Sequence, residues 1–451
     1  METRGKLRDR KYNSARQFLP IAALIGLLIM GMALLAACGG DETETADTAV
    51  ETEATSAGAT DETTEASENA ESVDAVQVGL LEPLSGPFAD NGKMARLGTE
   101  MAVEEINANG GIKSLGGAKI ELVIKDTGAA APAQVANQLQ SMIEQNDLSA
   151  VIGAWASSYT LAASTVAEQA GVPMVTESFA DDITGRGYKY IFKIPASAEL
   201  MGEEAVAKVL ELAEEVGYEI TTAAVVADNT SAATVSANAA ADRLVARGVD
   251  VPVREFFTPG LTEGNSLAIK VLATDPQLIF VQGALSDMAL LQNAFKEQGY
   301  EGPVLGAGSG FVVHDYGKTV GEAANGAFSS AGWNWDMPGE AAKNFAEQFV
   351  AKNPEFDFPG QEAGEDYAAM YIIAQALENA GSADPQAVRD ALAEIDITEG
   401  PATILASGKV SFDETGMLED TLPVIIQWQD GKPYTVAPES IASRDPIALG
   451  Q

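Results

Sequence analysis

Histidine and cysteine are nearly absent from the 451 residues: there is one of each, His314 and Cys38. A single cysteine excludes a disulfide framework within the chain and a cysteine-built metal cluster. A single histidine excludes a His-rich metal site and argues against Ser–His–Asp or Cys–His catalysis. Positive charge is scarce too, with 27 Lys and Arg against 66 Asp and Glu, a formal net charge of −39. Nucleic acid needs clustered cations to neutralise its phosphates, so it is not an expected partner. No Walker loop, metal motif or basic patch appears, and neither a cofactor nor a metal is expected. The length exceeds what one core usually supports, which points to two lobes.

What is present begins with an address. Six basic residues lie within the first 18, and an apolar run from Ile21 to Ala37 follows. Basic, apolar, then small is the layout of an export signal. The run ends Leu35-Ala36-Ala37-Cys38, which resembles the lipobox of bacterial lipoproteins. That resemblance implies removal of residues 1–37, acylation of Cys38 and a lipid anchor outside the cytoplasm; an uncleaved signal anchor is the competing reading. Residues 38–74 read as an acidic, disordered tether: Asp41 to Asp74 holds 12 acidic residues, no Lys or Arg and no aromatic residue. As a flexible coil it would reach about 30–35 Å.

From Val76 the pattern changes to short apolar runs alternating with helical periodicity. Strands are expected at Val76–Leu81, Ile120–Ile124, Val151–Gly153 and Val172–Thr176. A second series has strands at Ala223–Val226 and Leu278–Val281, with a helix up to Arg247 and another from Asp287. Strands alternating with helices mean parallel sheets covered on both faces, an α/β fold. A long helix from Asp366 to Gly381 and a hairpin about Asp430-Gly431 follow.

In such sheets ligands bind beyond the carboxyl ends of the strands, where helix N-termini present free N–H groups. Three junctions qualify. Trp155, Ser157 and Ser158 open a helix after Val151–Gly153; one serine is explained by capping alone, but not the aromatic and second hydroxyl with it. Ser178, Phe179 and Ala180 follow the next strand, where an ordinary loop is an equal reading. Asp287 opens a third helix, either satisfying its dipole or facing a ligand cation. Gly308-Ser309-Gly310 lacks the outer glycines of a nucleophile elbow, Gly306-x-Gly308 is too short for a dinucleotide fingerprint, and His314 reads as a surface or packed side chain.

At these junctions the sequence resembles the branched-chain amino acid (Leu/Ile/Val-type) binding proteins of ABC transporters, a type I periplasmic-binding fold. The blocks that carry it are Leu84-Ser85-Gly86-Pro87, Glu104 to Ile112, Val151-Ile152-Gly153 with Ser157-Ser158, Gly185 to Phe192, and Asp366-Tyr367 to Gly381. The resemblance implies two Rossmann-like lobes with parallel sheets, joined by a three-segment hinge crossing near residues 195, 308 and 383. Residues 75–195 and 308–382 would form lobe 1, and 196–307 and 383–445 lobe 2. It further implies that Ser157 and the stretch Ser178-Phe179-Ala180 bind a ligand carboxylate and that Asp287 faces its ammonium. Trp155 would line the pocket and Asn91 lie on the first-lobe rim. A small polar solute, above all an amino acid, would be handed to an ABC permease without chemistry. Two departures bear on the ligand: Asp228 to Ala233 replaces a Tyr-Gly pair, and Phe179 replaces a small residue. Binding of amides, urea or aromatic acids, or a ligand-sensing role, remain alternatives, as does a surface hydrolase.

Overall fold

The computed structural model describes residues 74–447 and Leu449; the leader, Cys38 and the tether up to residue 73 lie outside the described residues. Among the described residues no helix is long and apolar enough to cross a membrane.

The first half is a run of strand–helix units: β1 (Ala75–Glu82), α1 (Ala89–Ala108), β2 (Lys119–Asp126), α2 (Pro132–Gln145), β3 (Leu148–Gly153), α3 (Ser157–Ala170), β4 (Met174–Thr176) and β5 (Ile191–Lys193). The strands form one parallel sheet in the order β2-β1-β3-β4-β5. Alternation sorts their side chains: Val76, Val78, Leu80 and Ile152 enter one core, whereas Leu81, Val151 and Met174 enter the core on the other face.

The second series comprises α4 (Ala198–Val216), β6 (Thr222–Asp228), α5 (Ser231–Ala246), β7 (Asp250–Phe257), α6 (Asn265–Leu272), β8 (Leu278–Gln282), α7 (Leu285–Glu297), β9 (Val304–Ala307), α8 (Tyr316–Val320) and β10 (Phe328–Ala331). After it come α9 (Glu340–Lys352), α10 (Gln361–Ala380), α11 (Pro385–Ala393) and the hairpin β11 (Val424–Gln429) and β12 (Lys432–Ala437). The second sheet runs β12-β11-β10-β9-β8-β6-β7, parallel from β6 to β10 and antiparallel through the hairpin.

Each lobe contains a helix pair that touches through a glycine. A Cβ on Gly98 of α1 would stand 2.0 Å from the Ala363 carbonyl oxygen of α10, and one on Gly202 of α4 would stand 2.0 Å from that of Ser236 in α5. Only a residue without a side chain permits such approaches.

The chain leaves the first sheet through residues 194–197, between β5 and α4. The other two crossings differ from the expected positions near 308 and 383. β9 is followed by β10 in the same sheet, so the chain leaves the second lobe at Gly332, and residues 308–331 stay with that lobe. α11 packs on α10 and β3, and Met417 bridges to Lys193 of β5, so the return to the second sheet comes between Leu418 and Val424. Residues 383–417 therefore belong with the first lobe. The displaced crossings have a simple cause: β10 reads Phe-Ser-Ser-Ala, too short and polar to announce a strand, although Ser329 and Ser330 are wholly buried.

Candidate functional site

Each sheet has one place where neighbouring strands lead their helices to opposite faces. In the first it lies between β1 and β3, and in the second between β6 and β8. Such switch points open a crevice beyond the strand ends. Here the two crevices face one another and line a single cleft.

On the first-lobe side the wholly buried run of β3 ends at Gly153, and Trp155 turns the chain with φ of 49° before α3 begins. No side chain caps α3; the Tyr159 amide of its first turn is taken by the Ala156 carbonyl at 2.8 Å, which leaves the Ser157 and Ser158 amides free to meet a bound group. Ser157 lines the cleft, its Oγ accepting the Ala180 amide at 3.1 Å. The Trp155 ring lies 4.9 Å from that of Phe88, and its Nε1 donates to Glu362 Oε1 at 3.0 Å. Asn91 Nδ2 donates to the same oxygen at 2.7 Å. Burial pushes the Glu362 carboxyl up to about 7, against the stabilising bond from Asn91. Phe179 forms another wall, and Lys193 Nζ holds its carbonyl at 3.0 Å. Burial pulls that ammonium down to about 8, partly offset by the charge of Asp181.

On the second-lobe side Asp228 ends β6 and Gln282 ends β8, and both line the cleft. Asp228 is 1% exposed, and its Oδ1 accepts the Thr230 amide at 2.9 Å and the Thr230 hydroxyl at 2.5 Å. Burial raises its carboxyl above the usual range, the Thr230 bonds oppose this, and the charge of Asp287 adds to it. The Ser236 hydroxyl donates to Gln282 Oε1 at 2.5 Å.

Of the residues singled out in the sequence, Trp155, Ser157 and Phe179 line the cleft. Ser178 and Ala180 stand behind them. The Ser178 hydroxyl donates to the Trp155 carbonyl at 2.6 Å and meets Thr160 Oγ1 at 2.6 Å, while the Ala180 amide is taken by Ser157. Asn91 is buried against Glu362 rather than set on a rim, and Ser158 is half-buried and outside the lining. Asp287 is not brought into the cleft: it is wholly buried, its carboxylate accepting the Gly260 and Leu261 amides at 2.9 and 2.7 Å. A carboxylate already holding a loop in this way has its lone pairs engaged locally. Phe88, Gln282, Gln361 and Glu362 line the cleft without having been singled out in the sequence, and Asp228 was noted there only as the start of a departing segment. Asp228 and Gln282 were findable, because each is the last residue of an apolar strand. Glu362 was not, because α10 begins five residues before the expected start, in a stretch without apolar periodicity.

Other residues of the resembling blocks, and His314 outside them, act on structure. Asn107 clamps β2 through both polar atoms, Nδ2 to the Ile120 carbonyl at 2.9 Å and Oδ1 from its amide at 2.8 Å. Glu105 accepts the hydroxyls of Tyr367 and Tyr371 from α10. His314 is packed between Phe356 and Phe358, its Nε2 accepting the Asp357 amide.

Comparison with known proteins agrees with this geometry. A family model described as periplasmic binding protein matches residues 75–432. The chain is 30% identical over 356 residues to the leucine-, isoleucine-, valine-, threonine- and alanine-binding protein of Pseudomonas aeruginosa, covering 79% of this chain and 90% of that one. It is 27% identical over 377 residues to a Leu/Ile/Val-binding protein homolog of Brucella melitensis, covering 81% and 91%. In fold it is similar to the crystal structure of a leucine-binding protein from Thermotoga maritima, with a TM-score of 0.71 at 22% identity over 80% of this chain and 98% of that one. With two α/β lobes, a cleft at both switch points and a family match across nearly all the described residues, the chain belongs to the periplasmic binding protein family, in its branched-chain amino acid type.

Proposed function

We propose that the protein is an extracytoplasmic solute-binding protein that captures an aliphatic amino acid and delivers it to an ABC permease, with acylated Cys38 as its membrane anchor. The observation that carries this reading is the opposed polarity of the cleft. The uncapped start of α3 with Ser157 suits a carboxylate, and buried Asp228 on the other lobe suits an ammonium. Phe88, Trp155, Phe179 and Met201 offer apolar walls between them for a hydrocarbon side chain. The names of the Pseudomonas and Brucella relatives support the same ligand class.

A zwitterion spanning the cleft touches both lobes, so it binds the closed form better than the open one and shifts the population toward closure. The permease then reads the closed shape. Hydrolysis is disfavoured by the surroundings of Ser157, whose Oγ is paired with an amide rather than a base. An aromatic acid is a second reading, favoured by the three rings, but Asp228 and Glu362 line the same cleft and oppose a ligand that carries only negative charge. A thermal-shift panel of aliphatic amino acids, their amides and benzoates tests the assignment. A ligand at about 100 times its Kd adds about 2.7 kcal/mol, read as a rise of several degrees. Shifts with benzoates and none with amino acids would transfer the assignment to aromatic acids.

A further inference from the structure

Three carboxylates that the solute cleft does not use converge inside the first lobe. Glu82 is the last residue of β1, Glu177 follows β4, and Asp366 lies on α10; none is more than 2% exposed. One oxygen from each lies within 4.8 Å of the others. No N–H or hydroxyl reaches any of their six oxygens in good hydrogen-bond geometry, although Glu82 and Glu177 lie close enough to share a proton and the Trp155 amide is near Glu177; Glu362 Oε2 and Glu365 Oε1 are likewise unpartnered and buried. Burial first, and then the like charges of Glu177, Asp366 and Glu362, raise the Glu82 carboxyl well above the usual range. At the end of β3, the strand between β1 and β4, a Cβ on Gly153 would meet the Leu81 carbonyl oxygen at 2.2 Å and Glu82 Oε1 at 2.8 Å, so the carboxylates lie directly against the backbone there.

An unpartnered buried polar group costs about 1–3 kcal/mol, and more when charged. Six such oxygens in one place carry that cost together unless protons or a bound cation relieve it. A hard cation answers this best: calcium takes six to eight oxygens at about 2.3–2.6 Å, so two ligands of one ion stand at most about 5.2 Å apart, and the three oxygens here lie inside that limit. The donors are all oxygens, with neither nitrogen nor sulfur, which suits calcium and magnesium over softer metals.

We propose that Glu82, Glu177 and Asp366 form a buried binding site for a hard divalent cation of the calcium or magnesium class. Their separation in sequence, 95 and 189 residues apart, explains why no spacing motif announces it. Glu362, one turn before Asp366 on α10, lines the solute cleft, so the same helix joins the two sites.

The test uses the whole protein, stripped with EDTA and then titrated with CaCl2 or MgCl2. The expected result is one ion bound per chain by calorimetry and a melting temperature several degrees higher with the ion. Asp366→Asn should lose the ion and the shift, yet melt at or above the ion-free wild type, because one of the crowded charges is gone. Glu82→Gln serves as the second variant. Failure of both salts to bind or shift the wild type would overturn the site. So would a shift that survives in both variants, which would assign it to acidic residues elsewhere, the tether included.

Discussion

Replacing Asp228 by Asn removes one charge from the cleft and little else. The amide keeps the shape of the carboxylate and an oxygen for the Thr230 amide and hydroxyl. What it loses is the attraction for a ligand ammonium, at a position only 1% exposed, where water screens little. Truncating one partner of a desolvated charge pair costs about 2–5 kcal/mol. The isosteric change keeps the hydrogen bonds, so the lower end applies, about 2–3 kcal/mol. At about 1.4 kcal/mol per decade that is a loss of roughly 30- to 150-fold in affinity. Calorimetry with leucine measures it directly, and 4-methylpentanoate, which is leucine without its amino group, supplies the control. That anion is repelled by Asp228, so its affinity should hold or rise in the variant. A loss of less than about threefold for leucine, or equal weakening of both ligands, would remove Asp228 as the partner of the ammonium.

Asp287→Asn should do the opposite, costing about 1–3 kcal/mol of stability in a denaturant titration because the Gly260 and Leu261 amides lose a charged acceptor, while leucine affinity stays within a factor of two. Gly98→Ala drives a methyl into the Ala363 carbonyl and should destabilise by about 1–3 kcal/mol or more, visible as a lower melting temperature with no change in cleft affinity once folded. His314 is held neutral in the fold, since burial lowers its pKa and its Nε2 must accept the Asp357 amide. The unfolded chain takes up that proton first, so this contribution to stability is complete above about pH 6.5 and declines below it, by at most about 1.4 kcal/mol per pH unit. His314→Gln should flatten the slope of stability between pH 7 and 5 relative to wild type; parallel slopes would show that His314 titrates normally.

The α/β architecture was legible because its central strands are buried on both faces and read as short apolar runs bounded by turns, while the edge strands β2 and β7 are partly exposed. The β11–β12 hairpin was legible from Asp430-Gly431. Trp155, Ser157 and Phe179 were legible because strand ends in such sheets are where ligands go. The remainder depends on distance in space rather than along the chain. Asp287 and Asp228 are both acids at strand–helix junctions; only packing decides that one holds a loop and the other faces the cleft. β10, with two serines in four residues, gave no apolar signal, so the lobe boundary was placed a strand too early. The start of α10 reads as a polar segment because its acidic side chains are buried among one another, an arrangement that no hydrophobic pattern encodes.

The second crossing has a mechanical consequence. Gln361 lines the cleft, and its Oε1 also accepts the Gly332 amide at 2.8 Å, at the point where the chain passes from β10 toward α9. If the lobes close on a solute as proposed, a solute held by this side chain would act beside the axle of the two lobes rather than on their outer edges. Force applied beside an axle moves little there and much at the far rim, so a slight adjustment of one glutamine would be geared into a wide swing of the jaws.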